Sequence, residues 1–168
     1  MKHVRDSKVK RNRYLHDLFL LLIIILFIFC SVTSYGQCKS NIISYCEMVS
    51  EQYDIPAGLL RSVVHVESSF YQDAESYAGA VGLLQVTKPA LKDYNNTATS
   101  FVRWSSVVSN WRVNLYVGAW YLKYFCYKNT LCWTNAITAY FWGLNNTNAS
   151  GVYSIKVFKE YKKIKGLL

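Results

Sequence analysis

Apolar residues recur at intervals of three and four along four stretches of the chain, which is the spacing of one face of an α-helix. The first stretch covers residues 40–53, the second begins at Pro56, the third runs from about 107 to 125 and the fourth from about 133 to 142. Polar segments such as YNNTATS separate them, and the alternating patterns typical of strands are few. The pattern predicts a mainly α-helical domain with little or no β structure.

One carboxylate lies on the apolar face of the second stretch. That face consists of residues at positions i, i+3, i+4 and i+7, namely Leu60, Val63, Val64 and Glu67. A buried carboxylate must be paired, or the loss of water raises its pKa. A carboxyl that stays protonated near neutral pH can act as a general acid. The alternative is that the helix frays at Ser68 and Glu67 turns into solvent.

The N-terminal region has a pattern of its own. Residues 1–17 are basic, residues 18–29 form an unbroken apolar run of 12, LFLLLIIILFIF, and small and polar residues follow as far as Gly36. This order is typical of a secretory signal peptide, and the run is well short of the roughly 20 residues that span a bilayer. We expect residues 1–36 to be a signal peptide cleaved after Gly36. The alternative is an uncleaved membrane anchor with its basic end in the cytoplasm.

The charge of the chain is basic, with 19 Lys and Arg against 10 Asp and Glu and a formal net charge of +9. Without residues 1–36, 13 basic and eight acidic residues remain, a net charge of +5. Five lysines fall in KVFKEYKKIKGLL, so residues 151–168 are predicted to form a basic C-terminal helix or tail. Export argues against a nucleic-acid partner and favours an anionic envelope polymer or membrane surface. A solvated amphipathic helix is the alternative.

Cysteine usage agrees with export. Four cysteines lie beyond Gly36, namely Cys38, Cys46, Cys126 and Cys132. An even number outside the cytosol indicates two disulfides, and four cysteines allow three connectivities. The local pairs 38 with 46 and 126 with 132 are preferred because each would close a short loop. A zinc site is weakly indicated, since no CxxC occurs, and we expect neither a metal nor a cofactor.

Short motifs follow one another from Glu67 to Gly143. E-S-x-F starts at Glu67, A-x-S ends at Ser76, and G-x-x-G-L-x-Q ends at Gln85. Further on, residues 114–122 match N-L-x-x-G-A-x-Y-L, and residues 136–143 match A-x-x-A-Y-N-x-G in part. This succession resembles the transglycosylase SLT domain, the lysozyme-like catalytic domain of lytic transglycosylases. The resemblance covers about residues 44–146, within an expected catalytic domain over residues 37–150.

The resemblance implies a function. The substrate would be the glycan strand of peptidoglycan, cut between N-acetylmuramic acid and N-acetylglucosamine to leave 1,6-anhydromuramoyl ends without net hydrolysis. Glu67 would be the single catalytic residue, first as acid and then as base. Such a protein would work in the periplasm or cell envelope in local wall remodelling, serving a secretion, conjugation or phage machine. It would meet the membrane only through an uncleaved N-terminal segment.

The resemblance also implies supporting roles. Tyr140 would hydrogen-bond the catalytic glutamate and hold its orientation, and Ser76 would contact that carboxylate or the muramic substituent. Gln85 would bind a substrate amide or hydroxyl. The two glycines of G-x-x-G-L-x-Q, Gly79 and Gly82, would let the backbone approach the sugar.

One motif departs from the family pattern. AYFWG places Phe141 and Trp142 where the family usually has Asn and a small residue. Trp142 would stack on a sugar face, or both rings would pack in the core. Two other functions stay open: a goose-type lysozyme-like hydrolase using Asp73 or Glu75 as a second carboxylate, and a catalytically impaired peptidoglycan-binding assembly subunit.

Overall fold

The computed structural model describes residues 20–26, 38–146 and 151–167. The chain divides into two compact units, Met1–Asn41 and Ile42–Leu168. In the first unit, residues 20–26 form a helix of exposed leucines and isoleucines. Among the described residues, no helix is both long enough and apolar enough to cross a membrane. The expected cleavage point at Gly36 lies outside the described residues, so cleavage and anchoring both stay predictions.

The second unit is built from helices. In chain order they are α1 (38–52, of which residues from Ile42 onward belong to this unit), α2 (Leu59–Ser68), α3 (Lys88–Thr97), α4 (Trp104–Ser109), α5 (Trp111–Trp120), a π-helix (Tyr121–Tyr127), α6 (Lys128–Thr130), α7 (Trp133–Trp142), a 3₁₀ turn (Leu144–Asn146) and α8 (Val152–Ile164). Over the described ranges, β-type pairing is limited to two isolated bridges between residues 75 and 86. The predicted mainly α fold is confirmed.

The long helix expected over 107–125 is divided in the structure. α4 ends at Ser109, and Asn110 adopts an extended conformation whose side chain accepts a hydrogen bond from the backbone N–H of Arg112. An asparagine in this position satisfies a free N–H at the start of a helix and so begins a new one. α5 then continues directly into the π-helix, and this wider segment carries several aromatic side chains out of the regular α register.

The basic C-terminal stretch forms α8, which packs against α2 and α7. Its buried residues are Tyr153, Ser154 and Val157, while most of its lysines stay exposed. Nδ1 of His65 on α2 lies 3.0 Å from Oε1 of Glu160 on α8. α8 therefore belongs to the same compact unit as α2, and its apolar side faces the helix that carries Glu67.

The four cysteines beyond Gly36 all carry free thiols in the structure, so the expected local disulfides are not formed. A disulfide needs its two sulfurs about 2 Å apart. Cys126 is buried in the core, whereas Cys132 is exposed at the N-cap of α7. Burial also raises the pKa of the Cys46 and Cys126 thiols to about 12, which makes them unreactive. No group of three metal-ligating side chains occurs within the described parts of the chain.

Candidate active site

Glu67 lies in the last turn of α2, half-buried beside the apolar face predicted from the sequence. The helix does not fray at Ser68, because the Ser68 hydroxyl donates to the carbonyls of Val64 (3.1 Å) and Leu83 (3.0 Å). The alternative that Glu67 turns into solvent is therefore wrong. Ser69 then ends the helix in a left-handed conformation with φ of +51°.

A loop over residues 74–86 follows α2, and Asn114 on α5 holds it in place. The fully buried Asn114 side chain accepts from the N–H of Leu84 (3.0 Å) and donates to the carbonyl of Val81 (2.8 Å). Gly82 has φ of +75°, and a Cβ there would overlap the Asn114 amide. A Cβ on Gly118 would lie 2.6 Å from Cβ of Leu84. The N-L-x-x-G motif thus fixes the G-L-x-Q loop by a close backbone approach.

Two residues predicted to bind substrate stabilise this loop from within. The Gln85 side-chain amide donates to the carbonyls of Ala74 (3.2 Å) and Gly82 (3.1 Å). The Ser76 hydroxyl accepts from the N–H of Ala80 at 3.0 Å. Gly79 has φ of +77° and open space where a Cβ would stand. Substrate contacts by these residues stay predictions, and the structure gives Gln85 and Ser76 a role in loop geometry.

The residue that hydrogen-bonds Glu67 is not the one expected. The Tyr153 hydroxyl, from α8, donates to Oε1 of Glu67. Tyr140 instead donates to the carbonyl of Leu84 at 2.6 Å. The predicted bond from Tyr140 to Glu67 is therefore wrong. The physical reason is that Asn114 holds the Leu84 peptide beside α5 and α7, where its carbonyl faces the Tyr140 hydroxyl.

Sequence reasoning missed Tyr153 because the lysines of residues 151–168 indicate a solvent-facing basic helix or tail. Tyr153 and Val157 stand at i and i+4, both buried, so the pattern already contained an inward face. Nothing in that pattern shows which helix the face would meet. Tyr140 still lies close enough for the charge of Glu67 to act on it, since burial and then that charge raise the pKa of Tyr140.

Burial is the main influence on the acid at this site. It raises the pKa of Glu67 from 4.5 to about 7, and the hydrogen bond from Tyr153 opposes this rise without cancelling it. Burial and the charge of Glu67 raise the pKa of Tyr153 far above its usual value, so Tyr153 stays a hydroxyl donor. The site therefore holds a carboxyl that is about half protonated near pH 7.

A cleft of about 550 Å³ opens over Glu67 between α2, α7 and α8. Besides Glu67, it is lined by Val66, Phe141, Trp142, Val152, Tyr153 and Lys156. Among the described residues that line the cleft, Glu67 is the single carboxylate and Lys156 the single cation. Asp73 and Glu75, the candidates for a second carboxylate, are exposed and are not part of it.

The rings of Phe141 and Trp142, from the AYFWG motif that departs from the family pattern, line the cleft. Phe141 is 51% exposed and stacks on Tyr153 with ring centroids 4.5 Å apart, and Trp142 is 43% exposed beside it. The alternative that both rings pack in the core is therefore wrong. Phe141 supports the tyrosine that holds Glu67, and Trp142 presents an aromatic face to whatever enters the cleft.

Comparison with known proteins identifies the family and the fold of the chain. The family model described as the transglycosylase SLT domain matches residues 44–160. The chain is similar in structure to an inactive mutant of lytic transglycosylase Slt from Pseudomonas aeruginosa, with a TM-score of 0.64 and 15% sequence identity. The match covers 74% of this chain and 24% of that one, so this chain corresponds to about a quarter of that protein and shares its fold over that part. No curated protein matches the sequence.

Proposed function

The chain belongs to the transglycosylase SLT domain family, and from that premise we propose that it is a lytic transglycosylase of peptidoglycan. It cleaves the bond between N-acetylmuramic acid and N-acetylglucosamine without net hydrolysis and leaves 1,6-anhydromuramoyl ends. The observation that supports this most directly is one buried carboxyl, Glu67, with a pKa of about 7 in an aromatic-lined cleft.

In the first step, Glu67 acts as the acid. Its protonated carboxyl donates to the glycosidic oxygen while the bond from that oxygen to the anomeric carbon breaks, through an oxocarbenium-like state. Burial supports this role because it keeps a large fraction of Glu67 protonated near neutral pH. Tyr153 fixes which carboxyl oxygen is free to reach the sugar, since it donates to Oε1.

In the second step, the same residue acts as the base. Glu67, now a carboxylate, takes the proton of the hydroxyl on the sixth carbon of the muramic residue, and that oxygen bonds to the anomeric carbon. The proton lost in the first step is thereby regained, and no water is consumed. The hydrogen bond from Tyr153 stabilises the carboxylate between the two steps. A cleft with one carboxylate among its described lining residues suits a reaction in which one group both gives and takes the proton.

The cleft also offers binding groups for the strand. Trp142 presents a ring face on which a sugar can stack. Lys156 supplies a positive charge at the same cleft, suited to the carboxylates that peptidoglycan carries on its stem peptides. Gly79 leaves the loop backbone open to an approaching sugar.

The hydrolytic alternative places a water where the internal hydroxyl attacks, with Asp73 or Glu75 as its base. Both side chains are exposed and stand outside the lining of the cleft, which favours the non-hydrolytic reaction. The catalytically impaired subunit is the second alternative, and it is distinguished by comparing wild type with Glu67→Gln.

Mass spectrometry of digested peptidoglycan tests the proposal. Wild-type protein is expected to release muropeptides with anhydro ends, and Glu67→Gln to release none. Glu75→Gln is the matched control, an exposed carboxylate in the neighbouring loop, and it should keep wild-type activity. Reducing ends in place of anhydro ends would support the hydrolase, and equal clearing by wild type and Glu67→Gln would support the impaired subunit.

We further propose that the protein is exported and acts in the periplasm or cell envelope on local openings in the wall, for a secretion, conjugation or phage machine. The family's substrate and the basic and apolar N-terminal pattern support this.

A further inference from the structure

A second groove of about 500 Å³ lies between α3 and the segment from the end of α5 to α6. Its aromatic lining consists of Trp120, Tyr124 and Phe125, and its polar lining of Asp93, Asn96, Thr97 and Lys128. It shares no lining residue with the cleft over Glu67. None of the sequence motifs assigns these side chains a role.

The lining of this groove suits a neutral, ring-shaped polar ligand. The Tyr124 side chain is 44% exposed and tilts against Trp120, with ring centroids 5.9 Å apart, so two rings offer an accessible apolar surface. One carboxylate, Asp93, and one ammonium group, Lys128, balance each other in charge. Pockets that combine aromatic walls with a few polar groups are typical binding sites. A pyranose ring presents an apolar C–H face together with hydroxyl and amide groups around its edge.

Asp93 and Asn96 supply polar groups suited to the hydroxyl and amide groups at the edge of a pyranose ring. The carboxylate of Asp93 and the amide of Asn96 both belong to the lining of the groove. Both lie on α3, three residues apart, and so on the same side of the helix. A carboxylate accepts from two sugar hydroxyls, and a side-chain amide both donates and accepts, as an N-acetyl group requires.

A short series of ring contacts connects this groove with the catalytic cleft. Phe125 stacks on Tyr121 with centroids 4.6 Å apart, and Tyr121 meets the edge of Tyr140 at 5.9 Å. Burial raises the pKa of both tyrosines, and a carboxylate adds a smaller contribution at each, Asp93 at Tyr121 and Glu67 at Tyr140. The groove is thus two ring contacts away from the surroundings of Glu67.

We propose that the groove formed by Trp120, Tyr124, Phe125, Asp93 and Asn96 is a second saccharide site, which holds an N-acetylhexosamine unit of the same glycan strand that is cut at Glu67. The identity of the ligand rests on the proposed function, whose substrate is a polymer of such units. A strand held at two places is cleaved as if its local concentration were raised, so the groove increases apparent affinity for long strands. Short fragments that occupy only the cleft gain nothing from it.

Binding by the inactive protein tests this without relying on turnover. Purified glycan strands freed of peptides are co-sedimented with Glu67→Gln alone and with Glu67→Gln combined with Tyr124→Ala, Asn96→Ala or Phe101→Ala. Tyr124→Ala should weaken binding about tenfold and Asn96→Ala about fivefold, the effects of one lost stacking contact and one lost hydrogen bond. Phe101→Ala is the matched control, an aromatic residue that is 76% exposed outside both clefts, and it should bind as Glu67→Gln does.

A second measurement separates the groove from the chemistry. With an otherwise wild-type chain, Asn96→Ala should raise KM on long strands about fivefold and leave kcat unchanged, with no effect on tetrasaccharide fragments. Unchanged binding in both groove variants, or equal loss in the Phe101 control, would overturn the proposal. If wild-type protein forms no anhydro ends while the groove variants still lose binding, the proposed reaction fails and the second saccharide site stands.

Discussion

Tyr153→Phe is the substitution that tests most directly how the site sets the protonation of Glu67. The change removes one hydroxyl and keeps the ring, so the stacking on Phe141 at 4.5 Å is retained. What is lost is the hydrogen bond to Oε1 of Glu67. This bond favours the carboxylate and lowers the pKa, while burial raises the pKa to about 7. Without the bond, the pKa of Glu67 must rise further.

The size of the change follows from the strength of the bond. A hydrogen bond to a charged group contributes roughly 1.5–3 kcal/mol, and one pKa unit corresponds to about 1.36 kcal/mol. We therefore expect the pKa of Glu67 to rise by about one unit, and by two at most if no water replaces the hydroxyl. Because the reaction begins with protonated Glu67, activity falls as pH rises through this pKa, and the variant should keep activity to higher pH.

The assay is the pH dependence of kcat/KM for release of anhydro products, which reports the ionisation of the free enzyme. Wild type should lose activity with a midpoint near pH 7, and Tyr153→Phe with a midpoint about one unit higher. The maximal rate of the variant should fall as well, since Glu67 loses a group that orients it. Tyr161→Phe, on the same helix but outside the cleft, is the control and should keep the wild-type midpoint. An unchanged or lower midpoint in Tyr153→Phe would refute the reasoning.

Other changes test the remaining features of the site. Because the pKa of Glu67 in the folded chain, about 7, lies above its unfolded value of 4.5, the folded state binds more protons between these values and the free energy of unfolding falls as pH rises through that window. Glu67→Gln should therefore be the more stable protein above pH 7, by about 3 kcal/mol for a pKa shift from 4.5 to about 7, with the difference lost below pH 4.5. Urea unfolding at pH 5 and pH 8 measures this, and a pH-independent difference would contradict it. Gly82→Ala should destabilise the fold by at least about 2 kcal/mol, because the new Cβ would overlap Asn114. Gly79→Ala is also at positive φ but in open space, so it should lower the free energy of unfolding by only about 1 kcal/mol. Equal losses in thermal unfolding would show that Asn114 does not hold the loop in place. Trp142→Ala should raise KM for glycan by about tenfold with little change in stability, because the ring is 43% exposed in the cleft. Steady-state kinetics with an unchanged KM would show that no sugar stacks on the Trp142 ring.

Several features of this protein could be read from local pattern. The three- and four-residue spacing predicted α1, α2 and α7, and the same spacing placed Glu67 on the buried side of α2, where burial raises its pKa. The two glycines of G-x-x-G-L-x-Q, Gly79 and Gly82, both adopt positive φ, a conformation that glycine takes at little cost. Local patterns succeed here because burial of one helix face and the conformational freedom of glycine depend on residues close in sequence.

The connections between these elements were decided only by the tertiary structure. The partner of Glu67 is 86 residues away on α8, in a stretch whose sequence predicts a basic helix or tail. Asn114, which holds the Leu84 peptide, is 30 residues downstream of it. The carbonyl of Leu84 accepts the hydrogen bond from Tyr140 that the motif implied for Glu67. The sequence allowed Trp142 either to face a sugar or to pack in the core, and the tertiary structure places it in the lining of the cleft. Periodicity tells which side of a helix is buried, but which helix covers it, and therefore which hydroxyl meets the acid, depends on how the whole chain packs.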